Sequence, residues 1–197
     1  MIAKLLAGVA VSLVSVSCAA QVVPAVGGHP PLATSLGVGM NYSSGDWGSA
    51  DINRWGPSVW ATATIWHDLS AIAETHSMNI GGNQNASNFK YFAGGGGLIY
   101  TSDYYGRFQP FFKGEIGFAS LTHPGNDTGH LHDTSYIWSA GGGVEYHTRG
   151  QWWTRVGYTY DFFPNFHSSI TNQNHSLNPR GFTFGETFRF GPTGSKF

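Results

Sequence analysis

Two polar stretches hold the residue types that could do chemistry. The first, THPGNDTGHLHDT, gathers His123, Asp127, His130, His132 and Asp133. Neutral imidazoles and carboxylates are good ligands for zinc or nickel, and His130 and His132, two apart on an extended chain, can chelate one ion. No cysteine accompanies them and the spacing is not that of a structural zinc site. The reading is therefore a solvated, histidine-rich loop, with metal binding by His123, His130 and His132 left open. The second stretch is His167-Ser168-Ser169. A serine nucleophile needs a histidine base and a carboxylate to orient it. Between Pro164 and Phe184 there is no Asp or Glu, and Asn178 stands in the comparable place. The runs Gly94–Gly97 and Gly141–Gly143 open no helix and lack the Lys-Ser/Thr of a phosphate loop. Asn41-Tyr42-Ser43, Asn85-Ala86-Ser87 and Asn126-Asp127-Thr128 match a glycosylation sequon that is common by chance. The expectation is no catalytic residue, no cofactor and no metal.

A third set of reactive types is spread along the chain: Glu74, Lys90, Lys113, Glu115, Glu145, Arg155, Asp161 and Arg189, four acids and four bases. What unites them is the elements that carry them. Apolar residues recur with period two, the signature of strands with one buried face. In FQPFFKGEIGFA, Phe108, Pro110, Phe112, Gly114, Ile116 and Phe118 oppose Gln109, Phe111, Lys113, Glu115, Gly117 and Ala119. Trp152–Phe163, Tyr136–His147 and Phe182–Phe190 repeat the scheme, and weaker strands are read at Thr34–Tyr42, Pro57–Trp66, Leu69–His76 and Phe89–Thr101. That predicts eight strands. Their connections alternate in length: Ser43–Gly56 long, His67–Asp68 short, Ser77–Asn88 long, Ser102–Arg107 short, Ser120–Thr134 long, Thr148–Gly150 short and Pro164–Arg180 long. Four long polar loops against three short turns is the asymmetry of a membrane barrel, and strands of this length suit a tilted crossing. The eight charges all fall on the face opposite the bulky residues. In a barrel whose aromatic face meets lipid they occupy a confined lumen and must pair, as equal numbers of each sign allow. Glu186 is the exception, on the lipid side of the last strand. Mid-strand glycine is normally unfavourable; here the glycine runs are read as making room in a narrow lumen. Tyr42, Trp55, Trp66, Tyr104, Tyr105, Trp152, Trp153, Phe162 and Phe163, near strand ends, suit interfacial girdles.

Composition agrees. Of 197 residues only 11% are charged, where a soluble protein has about 25%. Aromatics make up 15%, glycine contributes 28 residues, and the net charge is −1. Disorder is excluded by the aromatics, and nucleic-acid binding by bulk charge is excluded by the near-neutral balance. Lys4, the apolar run Leu5–Val16 and the small residues Ser17-Cys18-Ala19-Ala20 form the three parts of an export signal. Cleavage after Ala20 removes the single cysteine, Cys18, and leaves 9 basic and 11 acidic residues. Acylation of Cys18 is the alternative, which Ser15 disfavours. No later apolar run is long enough for a membrane helix.

PFFKGEIGFA, SAGGGVEYH with its turn TRG, WWTRVGYTYDFFPNF and LNPRGFTFGETFRF together resemble small outer-membrane β-barrel proteins of the opacity-protein and outer-membrane-protein-A transmembrane-domain type. The resemblance covers the second half of the chain in detail and the first half by pattern. It implies an all-β fold, an eight-stranded antiparallel up-and-down transmembrane barrel, in a Gram-negative outer membrane. The expected organisation is a signal peptide at 1–20, a lead segment at 21–33, the barrel at 34–190 and an extension at 191–197, with Phe190 ending the C-terminal insertion signal. Implied partners are outer-membrane lipids, lipopolysaccharide and the barrel assembly machinery; no nucleic acid is expected, and the external ligand stays open. The function expected is a non-enzymatic structural, surface-interaction or adhesion role through four external loops. Two alternatives stand: a lipid A-modifying barrel hydrolase, which His167-Ser168-Ser169 faintly resembles, and a soluble lipocalin-like ligand-binding barrel.

Overall fold

Strict apolar–polar alternation gives each segment one face to turn from water and one to satisfy otherwise, and the backbone N–H and C=O groups must all be paired across strands. The computed structural model, which describes residues 33–47, 50–79, 90–103, 105–124, 130–163 and 178–190, meets both demands by closure. Eight strands follow one another: β1 (Thr34–Trp47), β2 (Ala50–Trp66), β3 (Leu69–Met78), β4 (Lys90–Thr101), β5 (Phe108–Pro124), β6 (His130–Arg149), β7 (Trp152–Phe162) and β8 (Arg180–Phe190). Each pairs antiparallel with the next, and β8 returns to β1, so the barrel has no open edge. The closing seam runs from Thr34 opposite Phe190 to Ser44 opposite Arg180.

At one end, here the turn end, the connections are tight. His67 adopts φ 44° in the His67–Asp68 turn, Gly106 adopts 67° and Gly150 adopts 58°. β6 runs on to Arg149, so its turn is Gly150–Gln151 rather than Thr148–Gly150. The opposite, loop end departs further from the expected bounds. β1 continues to Trp47 and β2 begins at Ala50, so the expected loop Ser43–Gly56 is almost wholly a hairpin. β5 and β6 likewise stay in register to Pro124 opposite His130, well into the expected loop Ser120–Thr134, of which 125–129 lie outside the described residues. Apolar alternation stops where the wall stops meeting apolar surroundings, but a ladder already in register can continue through polar residues as long as the backbone pairs. Phe89 and the other residues of 80–89 lie outside the described residues, as do 1–32 and 191–197.

The interior is layered. Ile72, Ile99 and Phe111 pack together toward the turn end; Met78, Tyr91, Ala93, Ala119, Leu121, Ile137 and Phe163 pack toward the loop end. Polar and charged side chains share the lumen with both clusters. Only alternate members of each glycine run face inward, and they serve two purposes. At Gly37 and Gly185 a Cβ would collide with the Trp60 ring. At Gly95 and Gly117, opposite one another, it would collide with neighbouring backbone. Within the runs themselves, Gly143 gives room to the Phe111 ring and Gly141 to the Lys113 side chain, as expected, while Gly95 and Gly97 let adjacent strands approach.

Candidate functional site

The outer wall displays the apolar set. Leu36, Val38, Met40, Val59, Leu98, Phe112, Ile116, Phe118, Trp138, Val156, Tyr158, Phe182 and Phe184 all stand exposed on it, with aromatic pairs running between strands, such as Phe118 with Tyr136 and Tyr158 with Phe182. An apolar surface this continuous is a lipid-facing wall. A lipocalin-like barrel would have the reverse arrangement, apolar within and polar without.

The lumen gathers seven of the eight charges read from the alternation, in three layers. Nearest the turn end, the Arg155 Nε and Nη2 both donate to Glu145 Oε1 at 2.7 Å, and Arg189 Nη2 donates to Glu145 Oε2. Arg189 also donates to Gln109 Oε1 at 2.6 Å. The guanidiniums lie over aromatic faces, Arg155 over Trp60 and Phe111 and Arg189 over Trp153, a favourable contact in a desolvated site. Trp60 Nε1 donates to Thr187 Oγ1 at 3.0 Å. In the middle layer Lys113 Nζ lies 2.7 Å from Glu74 and 3.2 Å from Glu115. Above it, Asp161 accepts from Tyr91 OH at 2.9 Å and Ser139 Oγ at 2.6 Å and pairs with His76 Nε2 at 2.9 Å. Single buried charges would be very costly; paired and hydrogen-bonded in this way they are tolerated.

Lys90 is the correction. It stands exposed on the outside of β4, because the inward residues there are Tyr91, Ala93 and Ile99. Its place in the lumenal balance is taken by Arg54, which is 4% exposed and lies in the segment expected to be loop. Among the described residues the lumenal charges thus still number four acids and four bases, with one member exchanged. His76 and Tyr91 were also missed as polar partners. Trp153 and Phe163, expected in the girdles, are buried in the lumen instead. Tyr42, Trp55, Trp66, Tyr105, Trp152 and Phe162 are exposed near strand ends as the girdle reading requires, and Tyr104 lies outside the described residues. Glu186 is on the outer wall, where Thr154 Oγ1 donates to its Oε1 at 2.7 Å.

Ser139, His76 and Asp161 are the residue types of a hydrolytic triad, but serine and histidine both bond the carboxylate rather than each other, which supplies no base to a nucleophile. His167, Ser168 and Ser169 lie outside the described residues. Asn178 is described, and its Oδ1 accepts from the Phe163 backbone N–H at 3.4 Å. The backbones of His123, His130, His132 and Asp133 belong to the β5–β6 hairpin, with His130 opposite Pro124, Leu131 opposite His123 and His132 opposite Thr122; Asp127 lies outside the described residues. Asn41, the first sequon, turns into the lumen and bonds Ser43 at 3.0 Å. Small pockets are found among the described residues, one against Glu74, His76, Glu115 and Ser139, another against Asn41, His76, Asp161 and Thr183. Each has room for about one water molecule.

No family model and no curated protein matches the chain by sequence. By structure it is similar to Neisserial surface protein A, with a TM-score of 0.66 and 15% identity over 80% of this chain and 99% of that one. It is similar to Ail, the attachment invasion locus protein of Yersinia pestis, solved with the heparin analogue sucrose octasulfate, with a TM-score of 0.55 and 13% identity over 81% and 99%. The outer membrane protein OprG from Pseudomonas aeruginosa gives 0.54 and 11% over 83% and 98%. The fold is that of small outer-membrane barrels.

Proposed function

We propose that the protein is a non-enzymatic barrel of a Gram-negative outer membrane that acts at the cell surface through its loop end. The observation that carries this reading is the lumen: its charges and aromatics are paired across the barrel, which leaves no evident reacting site or passage among the described residues. What is left to do work is the loop end, where the β1–β2 and β5–β6 hairpins continue in polar sequence beyond the apolar wall. Attachment through such projections fits the likeness to Ail and to a surface protein. The partners that follow are membrane lipids and lipopolysaccharide along the wall and the barrel assembly machinery during insertion. The leader at 1–20 supplies export.

An epitope inserted beside Asn126 tests the orientation. Antibody should reach it on intact cells. Labelling only after the outer membrane is permeabilised would place the hairpins in the periplasm and end the surface reading.

A further inference from the structure

Glu186 is the one carboxylate on the described lipid-facing wall, and its surroundings are built rather than bare. It lies on β8 between Val38 of β1 and Thr154 of β7. Thr154 donates to Oε1 at 2.7 Å, and Thr154 in turn is 2.9 Å from Thr148 Oγ1. Thr148 is the extra residue of the β6 bulge between His147 and Arg149, so a departure from regular pairing brings its hydroxyl into the row. Thr148, Thr154 and Glu186 thus form a line of oxygens climbing from the turn end up the outside of the barrel. Trp152, Phe188 and Phe190 flank it, with Trp152 and Phe190 exposed. Oε2 of Glu186 has no hydrogen bond or ion pair to any described residue.

A charge on this wall is tolerated near the headgroups and increasingly costly toward the midplane. Glu186 sits two residues above Trp152 in the register, just to the membrane side of the aromatic girdle. The molecules that cover a lipid-facing wall at that depth are phospholipids. Among their groups, the one complementary to a carboxylate with neighbouring hydroxyl oxygens is a primary ammonium, which brings three N–H donors and a positive charge. We propose that Glu186, Thr154 and Thr148 form a binding site for the headgroup of an amino phospholipid, with its acyl chains against Val38, Val156 and Phe184. A choline headgroup carries the same charge but no N–H donor, and a glycerol headgroup leaves the lipid anionic; the site discriminates against both.

Native mass spectrometry of the refolded protein in detergent, with phosphatidylethanolamine, phosphatidylcholine or phosphatidylglycerol added, tests this. Both ends of the barrel are accessible in a micelle, so the outcome does not depend on which end faces the periplasm. Wild-type protein should hold phosphatidylethanolamine about tenfold more tightly than either competitor. Glu186→Gln should erase the preference, and Thr154→Val, which keeps the carboxylate but removes its donor, should reduce it. Folding of both is checked by the gel shift between unheated and boiled samples; if Glu186→Gln does not refold, Thr154→Val decides. Equal retention of the three lipids by wild type, or a preference that survives in the refolded variants, overturns the proposal. So does a dimer lost on Glu186→Gln while the lipid preference is unchanged, since the carboxylate would then serve a protein contact.

Discussion

Glu145 is the most heavily engaged acid in the lumen, because two guanidiniums converge on one carboxylate. Removing it strips two guanidiniums of the carboxylate they share. Glu145→Ala should therefore cost about 3–5 kcal/mol, the usual consequence of breaking a buried pair from one side. Arg189→Ala should cost less. Its side chain is 25% exposed, and Glu145 keeps Arg155 when it is gone. The double variant Glu145→Ala/Arg155→Ala should recover part of the loss of Glu145→Ala alone, because fewer unpaired charges remain. Urea unfolding of the refolded proteins in lipid gives the ranking. Equal losses for Glu145→Ala and Arg189→Ala would mean that the lumenal layer is wetter than its burial suggests. Lys113 shows the same economy of charge in the opposite sense, one ammonium serving Glu74 and Glu115.

Among the elements, β1 and β8 form the closing seam, where Gly39 lies opposite Gly185. A Cβ at Gly39 would run into the Phe184 carbonyl oxygen and the Gly185 backbone, whereas one at Gly114, on the outer wall of β5, would meet nothing. Gly39→Ala should thus lose the compact, heat-modifiable species on refolding. Gly114→Ala should stay within about 0.5 kcal/mol of wild type, as for a substitution that touches nothing. Electrophoresis of unheated and boiled samples reads both, and a closed Gly39→Ala barrel would show that the seam can spread. Strand faces were legible from sequence where bulky apolar residues alternate with small or charged ones, as in β5, β7 and β8. They were not legible in β4. A run of four glycines carries no parity, and an inward Lys90 is the reverse of what the hydroxyl of Tyr91 requires to reach Asp161. Arg54 is hidden differently: clear apolar alternation in its strand begins only at Pro57, although backbone pairing extends through Arg54. Residue type alone also could not tell a girdle tryptophan from Trp153, since an aromatic ring serves equally against lipid and under a guanidinium.

For the molecule as a whole, an eight-stranded barrel has an interior that side chains can just fill, and here three polar layers and two apolar clusters fill it. Purified protein in planar bilayers should show no large, steady conductance. Stable open channels from the wild type would contradict the filled lumen and shift the reading toward a pore. The closing seam carries one more implication. The first strand finds its second neighbour only in the last, Thr34 with Phe190 and Ser44 with Arg180, so no shorter length of chain can complete the cylinder. Until that late meeting every intermediate presents an unpaired strand edge together with greasy rings facing water, the two features that drive aggregation. The loop-closure entropy of so distant a pairing makes the step intrinsically slow. The native fold itself therefore sets how long that edge and those rings stay uncovered before the barrel closes.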